Sequence, residues 1–299
     1  MKITIINILV LLSFFSLLMS SCEDNPMDEE QYFKQVYIVG AAQIVSQFDV
    51  YYKSEATQAY VSVATGGSLN IDKDVVVNLE HNDETIDWYN KKYMIDAPVK
   101  YQKLDAAHYN IPSMTTTIKS GEVYSRLPFT INTGGLHCDS LYALTFKIVS
   151  VSEFQKNGED TVLVMNLKMV NDYSGSYQAD LVRYTVVTNA SGEVELTLPT
   201  TISATRTLTA VDQNTVRFFN EAKAEIRSGY STNEDYFNGI NKYCVTLKKG
   251  EGQTFIVAPW NQLDIVNPGE CTYKDGTFTY WYDYKDGSTT FRIQGRLVK

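Results

Sequence analysis

Residues that carry chemistry are scarce in this chain. It has 299 residues but only three histidines and four cysteines. His81, His108 and His137 fall at no metal-ligand spacing, and no C-x-x-C pair exists, which argues against a histidine or cysteine zinc site. G-x-S-x-G and G-x-x-x-x-G-K-[ST] are both missing, so neither a nucleophile elbow nor a phosphate-cradling loop is indicated. Basic residues are in deficit too: 26 Lys and Arg stand against 35 Asp and Glu, for a net charge of −9. Nucleic-acid binding needs a clustered basic footprint, and there is none. The apolar run Ile8–Met19 is interrupted by serines and is shorter than the roughly 20 residues that span a bilayer. Glycoside hydrolysis needs two carboxylates at a set separation. An acid-rich chain contains many such pairs, so the sequence nominates none. No catalytic residue, metal ligand or cofactor is assigned, and the expectation is a non-enzyme.

What the chain does have begins at its amino terminus. Lys2 precedes the apolar run, which closes in Met19-Ser20-Ser21-Cys22. A basic start, a short apolar stretch and small residues at a cleavage point read as a secretory signal peptide over residues 1–21. The cysteine at that point resembles the bacterial lipobox. A thiolate can take a diacylglyceryl group, and cleavage leaves the Cys22 amine free for a third acyl chain. Each buried methylene adds about 0.8 kcal/mol, and stable anchoring takes more than one chain. Ordinary cleavage, with Cys22 a bystander, is the alternative. Residues 22–34 read as a lipidated acidic tether: Glu23–Glu30 holds five acids and no base, and cannot bury a core. Such a stretch behind a lipidated cysteine also resembles the surface-export signal of Bacteroidetes lipoproteins. The resemblance implies a protein on the outer face of the outer membrane, touching the membrane through its anchor only.

Without residues 1–21 the chain has 278 residues, with 25 basic against 35 acidic side chains, a net of −10. At roughly 100–200 residues per domain, two domains are expected. Tyrosine is abundant, at 21 residues, beside many Thr and Val, which suits pleated, half-buried strands. Cys138, Cys244 and Cys271 cannot all pair. Buried free thiols are the preferred reading; a disulfide, if one forms, would be Cys244–Cys271.

Strands are expected at Gln35–Val39, Ala59–Val63, Asp74–Leu79, Thr115–Ile118, Leu127–Ile131, Ala143–Val149 and Thr161–Val170, separated by glycines and polar turns. Between the third and fourth, Ile86, Tyr89, Tyr93 and Met94 recur at helical spacing, with Asp83 a possible N-cap. The period predicts one short helix over Glu84–Met94, with Trp88 in the core. Residues 35–170 thus read as an immunoglobulin-like antiparallel β-sandwich with one short helix. Residues 171–299 read as a second all-β domain, a lipocalin-like antiparallel β-barrel or a second sandwich. Its strands are expected at Tyr177–Val187, Val194–Leu198, Arg206–Ala210, Thr215–Asn220, Tyr243–Leu247, Thr254–Ala258, Gly276–Tyr284 and Thr289–Leu297. Tyr273-Lys-Asp-Gly recurs at Tyr284-Lys-Asp-Gly, which predicts two Asp-Gly hairpins in a terminal three-strand meander. Asp283, Asp286 and Gly287 lack the spacing of a calcium loop.

One ordered series of segments is familiar: Asp87-Trp-Tyr-Asn90, Tyr101-Gln-Lys-Leu104, Tyr109-Asn-Ile111, Ile118-Lys-Ser-Gly-Glu122, Leu127-Pro-Phe-Thr-Ile131 and Leu141-Tyr-Ala-Leu-Thr-Phe-Lys-Ile148. Over roughly residues 36–150 it resembles the N-terminal domain of unknown function in Bacteroidetes surface lipoproteins of starch-utilisation-type glycan uptake systems. The second half resembles the β-rich domain of unknown function that often follows it. The resemblance implies an accessory lipoprotein of a polysaccharide-utilisation system that binds glycan, and carries no catalytic residues with it.

Sugar rings present C–H faces to aromatic planes, with polar groups fixing their hydroxyls. In Phe278–Tyr284, Phe278, Tyr280, Tyr282 and Tyr284 share one face and are expected in the core. Trp281 and Asp283 share the other, and make a candidate sugar platform. Trp260, in the loop after a strand, is a second candidate. Packing roles are the alternative for both tryptophans. The expected partner is a neutral or weakly basic polysaccharide or oligosaccharide, held through the second domain. A scaffold or adhesion lipoprotein docking on outer-membrane transporter components or host material is the alternative function, and a hydrolase with an unrecognised site is the third.

Overall fold

The computed structural model describes residues 29–97, 99–226 and 229–299. The expected signal peptide, Cys22 and most of the expected tether lie outside the described residues. The end of the tether is tied down: the Glu30 carboxylate accepts from Ser68 Oγ at 2.8 Å and pairs with Lys34.

The first domain is a sandwich. One sheet runs in the order β10 (Gln155–Lys156), β1 (Gln35–Ile38), β3 (Thr57–Thr65), β8 (Tyr124–Ile131), β6 (Tyr109–Asn110). The other runs β2 (Val45–Tyr51), β11 (Val162–Val170), β9 (Leu141–Val151), β4 (Val75–Glu80), β7 (Thr115–Ile118), with β5 (Tyr101–Lys103) also on β9. Period-2 alternation decides which side chains go inside. Val75, Val77 and Leu79 of β4 face Leu127, Phe129 and Ile131 of β8 across one apolar core. Most pairings are antiparallel, but β1–β10, β2–β11 and β5–β9 are parallel. The sequence reading lacks β2, whose mixed burial gives no clean alternation.

The helix α1 (Glu84–Tyr93) lies on the outer face of the second sheet. Ile86 packs on Ala143 of β9 and Val164 of β11. That is why the middle of β9, Ala143–Phe146, is buried on both faces. Thr145 fixes the entry to the helix: its hydroxyl donates to Asn82 O at 2.7 Å and accepts from Asn82 N at 3.0 Å. Ile86 is the one buried residue of α1. The apolar stripe predicted from spacing is therefore only partly inside. Trp88, expected in the core, is instead 43% exposed, because the helix reaches the sheet through Ile86.

The chain leaves the first core at Asn171, which is itself buried. Its side-chain amide donates to Asp212 O (2.7 Å) and Thr215 O (2.9 Å), so the junction is strapped to the second domain. Ala210 of the second domain belongs to the first domain's core cluster.

The second domain is a meander of β12 (Gly175–Thr188), β13 (Val194–Ala210), β14 (Thr215–Phe219), β15 (Cys244–Lys249), β16 (Phe255–Pro259), β17 (Asp264–Lys274), β18 (Thr277–Asp286) and β19 (Thr289–Val298). β19 pairs with β12, and the free edges of β16 and β17 meet through Thr254–Thr272 and Tyr273 N→Gln253 O at 2.8 Å. Barrel closure is nearly complete, so the barrel reading holds over the second sandwich. Its interior is packed by Tyr177, Phe218, Phe278, Tyr280, Tyr282 and Tyr284, all buried. The four-aromatic face of β18 is core, as expected. Arg206, also fully buried, reaches Asn220 O at 3.4 Å and Glu225 at 3.9 Å.

Eight strands are expected and eight are found, but not the same eight. Val194–Leu198 and Arg206–Ala210 are the two ends of one long β13, and β17 lies where Asn267-Pro268-Gly269 breaks the pattern with register shifts. Two helices fill the gap before β15: the single turn α2 (Ala222–Glu225) and α3 (Asn233–Tyr243). Thr232 and Asp235 form a capping box at the start of α3, each accepting from the other's backbone N–H. Of the two Asp-Gly turns, Asp275-Gly276 has positive φ at both residues (48° and 78°), as type I′ requires. In the second, Asp286 pairs with Thr289, so Gly287-Ser288 form the loop and only Gly287 has positive φ. Cys138, Cys244 and Cys271 are free, the latter two buried. Among the described residues no helix is long and apolar enough to cross a membrane.

Candidate functional site

The domains meet along a cleft of about 780 Å³. The first domain contributes Lys100, Tyr101 and Gln102 at β5, with His137, Asp139 and Ser140 from the loop before β9. The second contributes Phe237, Ile240 and Asn241 of α3 and the Trp260-Asn261 loop after β16. Local hydrogen bonds hold each wall. The Asn90 side chain of α1 brackets Tyr101, donating to its carbonyl at 2.8 Å and accepting from its N–H at 3.0 Å. Trp260 N–H donates to Cys244 O at 2.9 Å, and Gln262 N–H to Asn241 O at 2.8 Å, so the tryptophan loop is pinned to the end of α3.

Beneath the cleft lies a buried ion pair across the domains. Arg217 of β14, 4% exposed, meets Asp139 bidentately at 2.8 and 2.5 Å. The guanidinium carbon also lies 4.7 Å from the centre of the Trp260 ring, and the His137 ring is 6.4 Å from that centre, near edge-on. Burial works against the Arg217 charge, but the hydrogen bonds and field of Asp139 outweigh it and hold the guanidinium more firmly protonated than usual. Indole, guanidinium and carboxylate thus form one rigid stack at the bottom of the cleft.

His137, Cys138 and Asp139 place a ligand atom each within 4.8 Å of one another. The chemistry does not suit a cation. Both Asp139 oxygens are engaged by Arg217, and burial pushes the Cys138 thiol up to about 11, so it stays protonated. The other histidines are bonded elsewhere: His81 Nδ1 to Thr145 O at 2.9 Å, His108 Nδ1 to Asn132 O at 3.0 Å.

The structure does not bring the three predicted sugar-contacting residues together. Trp260 lines the interdomain cleft. Trp281 lines a different depression on the outer wall of the barrel, with Asp180, Glu270, Gln294 and Arg296. Its ring is already occupied: Arg292 lies 4.2 Å from its centre, and Gly269 lies so close that a Cβ there would sit 2.7 Å from the indole. Gly269, at φ +60°, is what lets the bulged β17 cross the ring. Asp283 is 5% exposed, and Arg292 takes both its oxygens at 2.7 and 2.9 Å. Asp283, Arg292 and Trp281 form one stack on the barrel wall, whereas Trp260 lines the cleft between the domains. Sequence reasoning missed Tyr101, Asn241 and Asn261, which gather only through the tertiary fold.

The fold defines a class of two-domain all-β proteins, an immunoglobulin-like sandwich followed by an eight-stranded barrel. A family model described as a "-like, N-terminal domain" matches residues 31–155, and one described as a "-like, C-terminal" domain matches residues 161–298. The chain belongs to this two-domain family. Solved structures of similar fold include several Bacteroides proteins. A Bacteroides ovatus protein of unknown function is 18% identical, with 88% of this chain and 93% of that one covered at a TM-score of 0.62. A second B. ovatus protein, multidomain and including a domain of unknown function, is 19% identical over 89% and 94% at 0.59. An auxiliary nutrient binding protein from Bacteroides thetaiotaomicron is 14% identical over 86% and 91% at 0.54. At these identities the likeness is one of fold. No curated protein matches the chain.

Proposed function

We propose that the protein is a lipid-anchored, non-catalytic glycan-binding protein of the bacterial outer surface, with its ligand in the interdomain cleft. One observation carries this: Trp260, partly exposed on a rigid stack, stands in a cleft whose other walls offer Gln102, Ser140, Asn241 and Asn261. An indole takes the apolar face of a sugar ring, and amides and hydroxyls take its hydroxyl groups. The similar fold of the auxiliary nutrient binding protein supports the reading without naming a ligand. The acidic net charge favours a neutral or weakly basic glycan. Anchored through Cys22, the protein would hold oligosaccharide beside transporter components in the outer membrane.

The test is calorimetry or affinity electrophoresis against a polysaccharide panel, with parent and Trp260→Ala compared. Loss of a stacking hot spot costs on the order of 1–3 kcal/mol, or roughly five- to 150-fold in affinity. A folded Trp260→Ala that binds like the parent would sink the cleft assignment. Trp281→Ala is the control, expected to leave affinity unchanged. A second reading, docking on another protein, is favoured by the arm formed by β12 and β13. There Val187, Val194, Leu196 and Leu198 are 43, 57, 36 and 74% exposed.

A further inference from the structure

The outward face of α1 is unusual for a short surface helix. It buries only Ile86 and leaves Trp88 43% and Tyr93 50% exposed, with Tyr89 half-buried between them. The rings are ordered against one another. Trp88 and Tyr93 meet edge-on at 5.8 Å, Tyr89 and Tyr93 lie 4.9 Å apart, and Tyr89 meets Tyr101 at 5.8 Å. Lys92 Nζ sits 5.1 Å from the centre of Trp88 and 5.0 Å from that of Tyr93. The helix is held by Thr145 at its entry and by Asn90 on Tyr101, so these rings are preorganised.

Tyr101 belongs to two features at once. It closes the ring series of α1, and it lines the cleft that Trp260 faces. The aromatic surface therefore continues from the cleft, across Tyr101, onto the exposed helix. We propose that this ridge is a second stacking platform of the same site, so that the protein takes an extended, linear, neutral oligosaccharide: one stretch rests on Trp260 and the next on Trp88 and Tyr93. The inference rests on the glycan reading of the cleft and adds the length and path of the ligand.

The chemistry of the ridge favours sugar over a protein partner. Its exposed rings, Trp88 and Tyr93, stand edge-on to one another with the Lys92 ammonium over both, unlike a flat aliphatic patch. The ring-to-ring steps are on the scale of one pyranose residue. Lys92 is exposed and has a flexible stem, so its ammonium can leave the ring face and donate to hydroxyl oxygens. Local charge is mixed rather than basic, because Lys103 is neutralised by Asp87 at 2.9 Å. That disfavours a strongly anionic chain.

The experiment uses short and long members of neutral malto-, xylo-, manno- and laminari-oligosaccharide series, measured calorimetrically with the parent, Trp88→Ala, Tyr93→Ala and Trp260→Ala. For the series that binds, parent affinity should rise with chain length. Trp88→Ala and Tyr93→Ala should weaken the long member by roughly two- to twelvefold and leave the short one unchanged. Trp260→Ala should weaken both. Both ridge side chains are half exposed, so these variants are expected to fold. If the ridge variants bind the long member like the parent, the ridge inference falls and the cleft reading stands. If Trp260→Ala binds like the parent while Trp88→Ala does not, the cleft reading falls, and the continuous path with it. A parent that binds none of the series overturns both.

Discussion

The Arg217–Asp139 pair makes an asymmetric prediction that tests how the two domains are joined. Arg217 comes from the barrel and Asp139 from the sandwich. Their side chains are 5% and 19% exposed. Removing one partner of a buried pair costs about 3–5 kcal/mol, because the remaining charge is left uncompensated. The two partners are not equivalent here. Arginine cannot give up its proton in a protein, so Asp139→Ala strands a permanent charge under Trp260. Asp139 borders the cleft and can rehydrate when its partner goes. We therefore expect Asp139→Ala to cost about 3 kcal/mol and Arg217→Met only about 1–2 kcal/mol, lost contact with Trp260 included. The double change Asp139→Leu, Arg217→Met removes both charges and should recover most of the larger loss. Urea unfolding followed by tryptophan emission gives the differences from the midpoints. Equal losses from the two single variants would refute the reasoning. So would a double variant no better than Asp139→Ala, or a loss below about 1 kcal/mol, the range of exposed pairs.

Alkaline pH should destabilise the fold. Burial pushes Cys138 up to about 11 and Cys244 and Cys271 up to about 12, from 9.0. The folded chain keeps protons that the unfolded chain has released. Their stabilisation is therefore full below about pH 9 and is lost as pH rises through 11 to 12. A urea midpoint unchanged between neutral pH and about pH 11 would contradict this. Cys22 should be the amino terminus of the mature protein and carry acyl chains; mass spectrometry that finds it unmodified, or cleavage elsewhere, ends the lipid-anchor proposal.

The sandwich was legible because its strands alternate. Val75, Val77 and Leu79, or Leu127, Phe129 and Ile131, declare an inside by period alone. The strand at Ala143–Val149 was legible too, but not that its outer face is covered. β9 is buried on both faces because α1 covers it, and α1 in turn was misjudged because its tyrosines and tryptophan fit a core stripe equally well as an exposed ridge. Periodicity gives the angle at which side chains leave a helix, but not whether a sheet lies beneath them all. β17 was hidden because Asn267-Pro268-Gly269 interrupts the alternation of its residues, whereas the sheet accommodates it as a bulge against Trp281.

The candidate site was harder still, for a physical reason. Its members are contributed one or two at a time by β5, the loop before β9, α3 and the loop after β16, so no window of sequence contains a motif. Trp260 could be singled out because a tryptophan in a loop has few apolar neighbours in sequence to hide against. Asp283 could not be judged the same way, since its partner Arg292 lies across a hairpin and turns an apparent hydrogen-bonding group into a closed ion pair. The same cross-strand neighbour decides Trp281: the arginine that neutralises Asp283 also covers the indole. Stacking capacity on a β surface is thus set by the residue opposite as much as by the aromatic itself. Trp260 stacks on Arg217, packs against the cluster of Phe219, Ile240 and Cys244, and keeps part of its surface toward the cleft. An aromatic with one face committed to a buried cation and the other part toward a polar cleft is arranged to receive a ligand with an apolar face and a hydroxylated rim.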